Sequence, residues 1–79
     1  MINIQDIIPF MKPGWVAMDK SKQWFWYNET PVIKDKSVQW SPQKKHINIE
    51  VDLLSGAFDI APADDWTKSL IRIKGVKTR

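Results

Sequence analysis

Residues 15–27, WVAMDKSKQWFWY, decide the fold that this chain can adopt. Two runs rich in residues that favour β-strands, 15–19 and 23–27, flank the three polar residues 20–22. Two such runs separated by a short polar segment predict a β-hairpin, although its turn contains no glycine. Everything else in the chain is interpreted as packing around this hairpin.

The second run carries aromatic residues on both of its faces. Because side chains alternate along a strand, Trp24 and Trp26 share one face, and Phe25 and Tyr27 share the other. A sheet with one solvated face does not need aromatic residues on both. We therefore expect one pair to be core and the other to be at least half exposed and to bind a partner. Which pair is exposed stays open at this stage.

Aromatic bulk is the main source of stability that this short chain has. A core formed by a single domain over residues 1–79 rarely supplies more than about 3–5 kcal/mol of net stability. The chain has five tryptophans, one histidine and no cysteine, which excludes a disulfide framework, a thiolate zinc site and an iron–sulfur cluster. Of the other tryptophans, we expect Trp15 and Trp66 in the core and leave Trp40 undecided.

Further strands are predicted downstream of the hairpin. Residues 46–53 alternate strictly, so that the apolar odd-numbered side chains from 47 to 53 face the core and the even-numbered ones face solvent. Residues 38–40 predict another strand, and residues 57–60 predict a return strand after the turn at 55–56.

Two short helices complete the predicted architecture. Asn3 caps a helix over residues 4–8, which Pro9 ends. An acidic cap at positions 64–65 begins the second, and three apolar residues follow at helical spacing: Trp66, Leu70 and Ile73. The alternative is a single turn followed by a strand. We predict a mainly β, small α+β domain: a curled antiparallel sheet of four to five short strands, SH3-like or a meander, with one or two short helices.

The sequence contains no motif that predicts catalysis. Its three glycines stand apart, so there is no phosphate-binding loop, and no metal-binding pattern is present. His46 follows two lysines and is interpreted as a surface residue, and Asp64-Asp65 is interpreted as a helix cap. We therefore predict a protein that is not an enzyme and needs no cofactor or metal.

Charge is mild overall but unevenly placed. The net charge is +3, yet residues 50–65 carry five acidic and no basic residues, and residues 66–79 carry five basic and no acidic ones. The start of the chain lacks the basic segment of a signal peptide, and no apolar run reaches the roughly 18–20 residues that cross a bilayer. We expect a cytoplasmic protein with no membrane partner and a frayed tail at 75–79.

Aromatic side chains with lysines nearby are typical of two kinds of binding site. Trp and Tyr are favoured at the centres of protein interfaces, and they also stack on the bases of single-stranded nucleic acid. The candidate binding residues are Trp24, Trp26, Tyr27, Trp40, Lys44 and Lys45. A protein is the first partner we expect. A single-stranded nucleic acid or nucleotide is the alternative, and a third reading is a self-associating structural protein that forms homo-oligomers.

Several motifs along the chain resemble small uncharacterised proteins of bacteriophages and prophages. They are GWVAMD at 14–19, Trp26-Tyr27, Pro31, Trp40 and DWxxSL at 65–70. Those proteins look like compact β-rich modules with no settled common activity. The resemblance therefore implies a mobile-element origin and, by analogy, a protein that acts in the host cytoplasm by occupying a host machine such as a defence complex.

Residues 13–42 also resemble part of a WW domain. The shared pieces are Pro13-Gly14-Trp15, Trp26-Tyr27-Asn28 with Thr30, and Trp40 with Pro42. The resemblance implies that Tyr27 and Trp40 line a groove for proline-rich peptides. The interval between the first and last tryptophan is longer than in that family, and its groove histidine is missing. We therefore attribute this likeness to shared hairpin chemistry.

Overall fold

Six strands form two antiparallel sheets in a computed structural model, which describes residues 1–43 and 49–74. The strands are β1 (Gly14–Met18), β2 (Trp24–Tyr27), β3 (Pro31–Ile33), β4 (Trp40–Pro42), β5 (Val51–Leu53) and β6 (Ile71–Ile73). A four-stranded sheet has the order β5-β2-β1-β6, and β3 pairs with β4 in a second sheet. The predicted fold class, a small and mainly antiparallel α+β domain, is confirmed, with an open sheet.

The β1–β2 hairpin forms where the sequence predicted it, with Met18 opposite Trp24. The turn contains no glycine and is stabilised instead by hydrogen bonds to the side chain of Asp19. The Asp19 carboxylate accepts a hydrogen bond from the backbone N–H of Ser21 at 3.1 Å. Lys22 takes the left-handed conformation, with φ of 71°, that a glycine more often supplies. A side-chain hydrogen bond therefore replaces the usual turn residue.

The predicted second helix is wrong, and the alternative, a turn followed by a strand, describes the structure. The Asp65 carboxylate accepts from the N–H of Thr67 and caps a single 3₁₀ turn at Trp66–Lys68. The chain then extends as β6, where Ile71 and Ile73 alternate with charged residues and pair with β1. Pairing along β1, together with the strand preference of β-branched side chains, outweighs the helical spacing.

The first helix is present in shortened form. Asn3 caps it as predicted, since its side-chain oxygen accepts from the N–H of Gln5 at 2.9 Å. Helix α1 spans Ile4–Ile7, and a 3₁₀ turn that contains Pro9 follows at Ile8–Phe10.

The predictions for residues 46–60 are only partly right. Strand β5 is present at 51–53, whereas residues 46–48 lie outside the described part of the chain. Val51 and Leu53 were expected in the core, but they are 42% and 46% exposed. The reason is that β5 is an edge strand, and the buried residues of the core on that face belong to β1, β2 and β4. The expected return strand at 57–60 is absent, and Ile60 makes an isolated parallel bridge to Ile2 instead.

Both faces of the four-stranded sheet are covered near its centre. On one face, Trp24 and Trp26 pack with buried side chains of α1, β1, β6 and the segment before the last turn: Ile4, Val16, Met18, Ile60 and Ile73. On the other, Tyr27 packs with Ala17 and with Trp40 from the small sheet. Strand β2 therefore contributes side chains to two cores, which accounts for its aromatic side chains on both faces.

Ser69 joins β1 to the segment that precedes β6. Its hydroxyl oxygen accepts from the backbone N–H of Met18 at 2.8 Å, and it lies 3.0 Å and 2.7 Å from the carbonyl oxygens of Met18 and Trp66. The residue is buried, so a side chain here supplies hydrogen bonds where the β1–β6 ladder ends.

We expect Ser69→Ala to lower the free energy of unfolding by about 1–3 kcal/mol, because it leaves the buried N–H of Met18 without its partner. Urea unfolding followed by tryptophan fluorescence measures the change. Ser37→Ala is the control, since that hydroxyl bonds only within an exposed loop. Equal losses in the two variants would show that Ser69 has no special structural role.

Candidate functional site

The aromatic residues that the sequence nominated for binding are buried. Their exposed fractions are 1%, 5%, 4% and 9% for Trp24, Trp26, Tyr27 and Trp40. The prediction that one pair of the β2 strand is at least half exposed is therefore wrong: Phe25 is only partly buried, but Tyr27 beside it is core. The physical reason is that the β3–β4 sheet covers the second face of β2, a long-range contact that no local pattern revealed.

Hydrogen bonds inside the protein also occupy the indole N–H groups. Nε1 of Trp40 lies 3.1 Å from the carbonyl oxygen of Met18 and 3.2 Å from that of Trp66. Trp40 thereby ties the small sheet to β1 and to the turn before β6. Trp40, which the sequence left undecided, therefore has a structural role.

The remaining nominated residues are distributed differently. Lys44 and Lys45 lie outside the described residues. Trp66 is partly buried and packs against both cores. Trp15, predicted as core, belongs to neither cluster; it is partly buried, and the guanidinium of Arg72 lies 5.7 Å from the centre of its ring. The sequence therefore placed Trp15 wrongly, because its side of β1 lies beyond the cover of the small sheet.

The apolar surface that the sheet exposes lies at its β5 edge. Val51 stands opposite Tyr27 and Leu53 stands opposite Phe25, so these four side chains share the face that carries the second core. Phe25, Val51 and Leu53 form what we call the β5 patch. Sequence reasoning missed this patch because it read the alternation at 47–53 as a buried face. Nothing in the local sequence opposes that interpretation, since acidic residues on one face of a strand are compatible with a buried opposite face.

A cleft of about 210 Å³ adjoins the β5 patch, between β2, β5 and β4. Its lining is mostly apolar and aromatic: Phe25, Tyr27, Trp40, Pro42 and Val51, with Ser41, Gln39 and Asp19 as the polar members. Two of the nominated residues therefore do meet at one place, where the hydroxyl of Tyr27 lies 3.5 Å from the carbonyl oxygen of Trp40. Tyr27 and Trp40 form the wall of the cleft, and Phe25 and Val51 lie on its solvent side.

The two titratable groups in the described lining of the cleft are held by the fold. Burial, and secondarily the negative charge of Asp19, raise the pKa of Tyr27 to about 12. The phenol is therefore protonated at neutral pH. The Asp19 carboxylate is buried and accepts hydrogen bonds from the hydroxyl and backbone N–H of Ser21. Both groups therefore form hydrogen bonds within the protein.

Other kinds of site were sought in the same residues. In the ranges 1–43 and 49–74, no three His, Asp or Glu side chains are grouped as metal ligands. No helix in those ranges has the length and hydrophobicity needed to cross a membrane. Comparison of the chain with protein-family models, with curated proteins and with solved structures found no match. No residue role is therefore carried over from a relative.

Titration of Tyr27 tests the geometry of the cleft. Its pKa is about 12 when folded against an ordinary value of 10, so folding favours the protonated phenol. The stabilisation is fully present below pH 10 and is lost as the pH rises from 10 towards 12. Tyrosinate absorbance reports this residue alone, because the chain has a single tyrosine.

We expect the absorbance of the folded protein to change with a midpoint well above that of the urea-unfolded chain. Tyr27→Phe supplies the blank and flattens the fall in stability over the same pH range. Equal midpoints for the folded and unfolded chains would contradict the buried position of the phenol.

Proposed function

We propose that this chain is a non-enzymatic protein-binding module whose contact surface is the β5 patch. The observation that carries the proposal is the exposure of Val51 and Leu53 on an edge strand, beside the partly buried Phe25. Edge strands usually avoid flat apolar surface, because it invites pairing with other chains. Retaining it beside an aromatic cleft favours a surface that is covered when a partner binds.

A binding role also agrees with the chemistry of the cleft. Asp19 is committed to the hairpin turn and Tyr27 keeps its proton, so the cleft offers apolar contact and a few hydrogen-bonding groups. Such a surface recognises another protein and lacks the paired acid and base of general acid–base catalysis. The resemblance to phage and prophage proteins supports a host protein as the partner, bound in the host cytoplasm.

The double variant Val51→Ser/Leu53→Ser tests the β5 patch. We expect the immobilised wild-type chain to retain a defined bacterial protein from lysate and the double variant to lose it, since both apolar contacts are removed. Phe10→Ser is the matched control: Phe10 is 88% exposed, on the 3₁₀ turn after α1. Circular dichroism confirms that all variants are folded. Retention by the double variant with loss in the control would place the binding surface elsewhere.

One specific observation favours a second candidate function, the binding of single-stranded nucleic acid. Trp15 is partly exposed in a shallow depression of about 340 Å³ that also includes Arg72 and Lys74. The guanidinium of Arg72 lies over the indole ring. An aromatic ring with cations beside it is the usual platform on which bases stack.

Fluorescently labelled oligothymidylate tests this second candidate. If the Trp15 depression binds nucleic acid, the oligonucleotide binds at low salt, weakens steeply as salt is added, and binds less well to Arg72→Gln. Lys34→Gln, in the exposed loop after β3, is the charge-matched control. The absence of binding at low salt eliminates this candidate.

A further inference from the structure

Backbone hydrogen bonds determine which residues of β5 are turned toward β2. The N–H of Asn28 donates to the carbonyl oxygen of Glu50 at 3.2 Å, and the N–H of Leu54 donates to that of Trp24 at 2.9 Å. In an antiparallel pair, hydrogen-bonded positions alternate with positions whose backbone groups point away. The even-numbered positions of 50–54 therefore bond to β2.

The odd-numbered residues Val51 and Leu53 direct their N–H and C=O groups away from β2. Within the described part of the chain, no further strand lies beside β5, and all three of its residues are exposed. The edge of the sheet thus presents two donors and two acceptors, two residues apart. This is the pattern to which an added strand bonds.

The side chains of this edge divide by chemistry between the two faces. Val51 and Leu53 lie on the face of Phe25, and Asp52 lies on the opposite face, across from Trp26. Glu50 shares the face of Asp52, two residues before it. The Lys12 ammonium lies 3.8 Å from Glu50 and partly offsets its charge. One face of the edge is therefore apolar and the other is acidic.

A second copy of the chain does not match this edge. If two β5 strands pair antiparallel about residue 52, Asp52 stands opposite its own counterpart. A shift by two residues in one direction sets Glu50 against Asp52, and in the other it sets Asp52 against Leu54, so that none of these registers gives Asp52 a cation. Like charges directly opposite destabilise a pair. The β6 edge of a second copy matches no better, because the register puts Arg72 on the face of Trp15 and Tyr27, away from the acids.

We propose that the β5 edge binds an extended partner segment as an added antiparallel strand in which basic and apolar residues alternate. Its apolar side chains lie beside the β5 patch, and its basic side chains face Glu50 and Asp52. The inference rests on the proposed protein-binding function and specifies the chemistry of the partner. Backbone bonds to Val51 and Leu53 supply the affinity, and the two faces supply the selectivity.

A capped synthetic peptide of alternating lysine and valine is the probe. Residues that exchange hydrogen bonds across an antiparallel pair lie on one face, so the valines, beside Val51 and Leu53, donate to β5 and the lysine amides point away. We expect the labelled peptide to bind by fluorescence anisotropy. N-methylation of the valine amides abolishes binding, and N-methylation of the lysine amides preserves it. Equal binding of the two methylated peptides, or the reverse preference, overturns the inference.

Two pairs of protein variants test the same geometry from the other side. Leu53→Pro removes an N–H that β2 does not use, so the fold survives and peptide affinity falls about tenfold relative to Leu53→Ala. We expect Asp52→Lys to abolish binding of the lysine–valine peptide and to create binding of a glutamate–valine peptide. Asp35→Lys, in the loop between β3 and β4, makes the same change in net charge and alters neither. Parallel effects of the two charge variants contradict recognition at this edge.

The experiments separate this inference from the function on which it rests. If no peptide binds while Val51→Ser/Leu53→Ser still abolishes capture from lysate, the β5 patch binds through side chains alone. The inference is then overturned and the proposed function stands. If capture is also insensitive to the double variant, both are overturned.

Discussion

The fold depends on one constraint: the four side chains of β2 must contribute to a hydrophobic core on each face of the sheet. A chain of 79 residues buries too small a fraction of its surface for a single large core. Trp24 and Trp26 fill one side, and Tyr27 meets Trp40 on the other. Each aromatic side chain buries about 150–250 Å², so a few of them replace the aliphatic layers of a larger domain. The surface available for binding is what these contacts leave uncovered.

The small β3–β4 sheet decides where that uncovered surface lies. It is anchored through the indole N–H of Trp40, which bonds to carbonyl groups of β1 and of the turn before β6. Because it has only two short strands, it covers the centre of the large sheet, and within residues 1–43 and 49–74 its core cluster includes neither Val51 and Leu53 at one edge nor Trp15 near the other. On the β5 side this produces the cleft and the β5 patch, and on the β6 side it leaves Trp15 under Arg72. The two candidate functions arise from the two ends of the same uncovered face.

Features encoded by neighbouring residues were predictable from the sequence, and features set by distant contacts were not. The hairpin at 15–27 and the Asn3 cap rest on local patterns, and both are present. The exposure of Tyr27 and Trp15 depended on where the small sheet packs, which alternation within one strand does not encode. Alternation at Val51 and Leu53 correctly indicated a strand, but it is silent on whether anything covers that strand. At Ile71 and Ile73 two periods competed, and pairing with β1 decided between them.

The acidic residues of β5 have two consequences that follow from one arrangement. An exposed edge with apolar side chains is a hazard, since it pairs readily with its own copies. Glu50 and Asp52 oppose that outcome, because antiparallel pairing of two β5 strands about residue 51 or 52 brings carboxylates together. The same carboxylates favour a strand with cations in the alternate positions, so the residues that disfavour pairing between copies would also select the proposed partner strand. Since Lys12 offsets the charge of Glu50, Asp52 is the residue on which both effects chiefly depend.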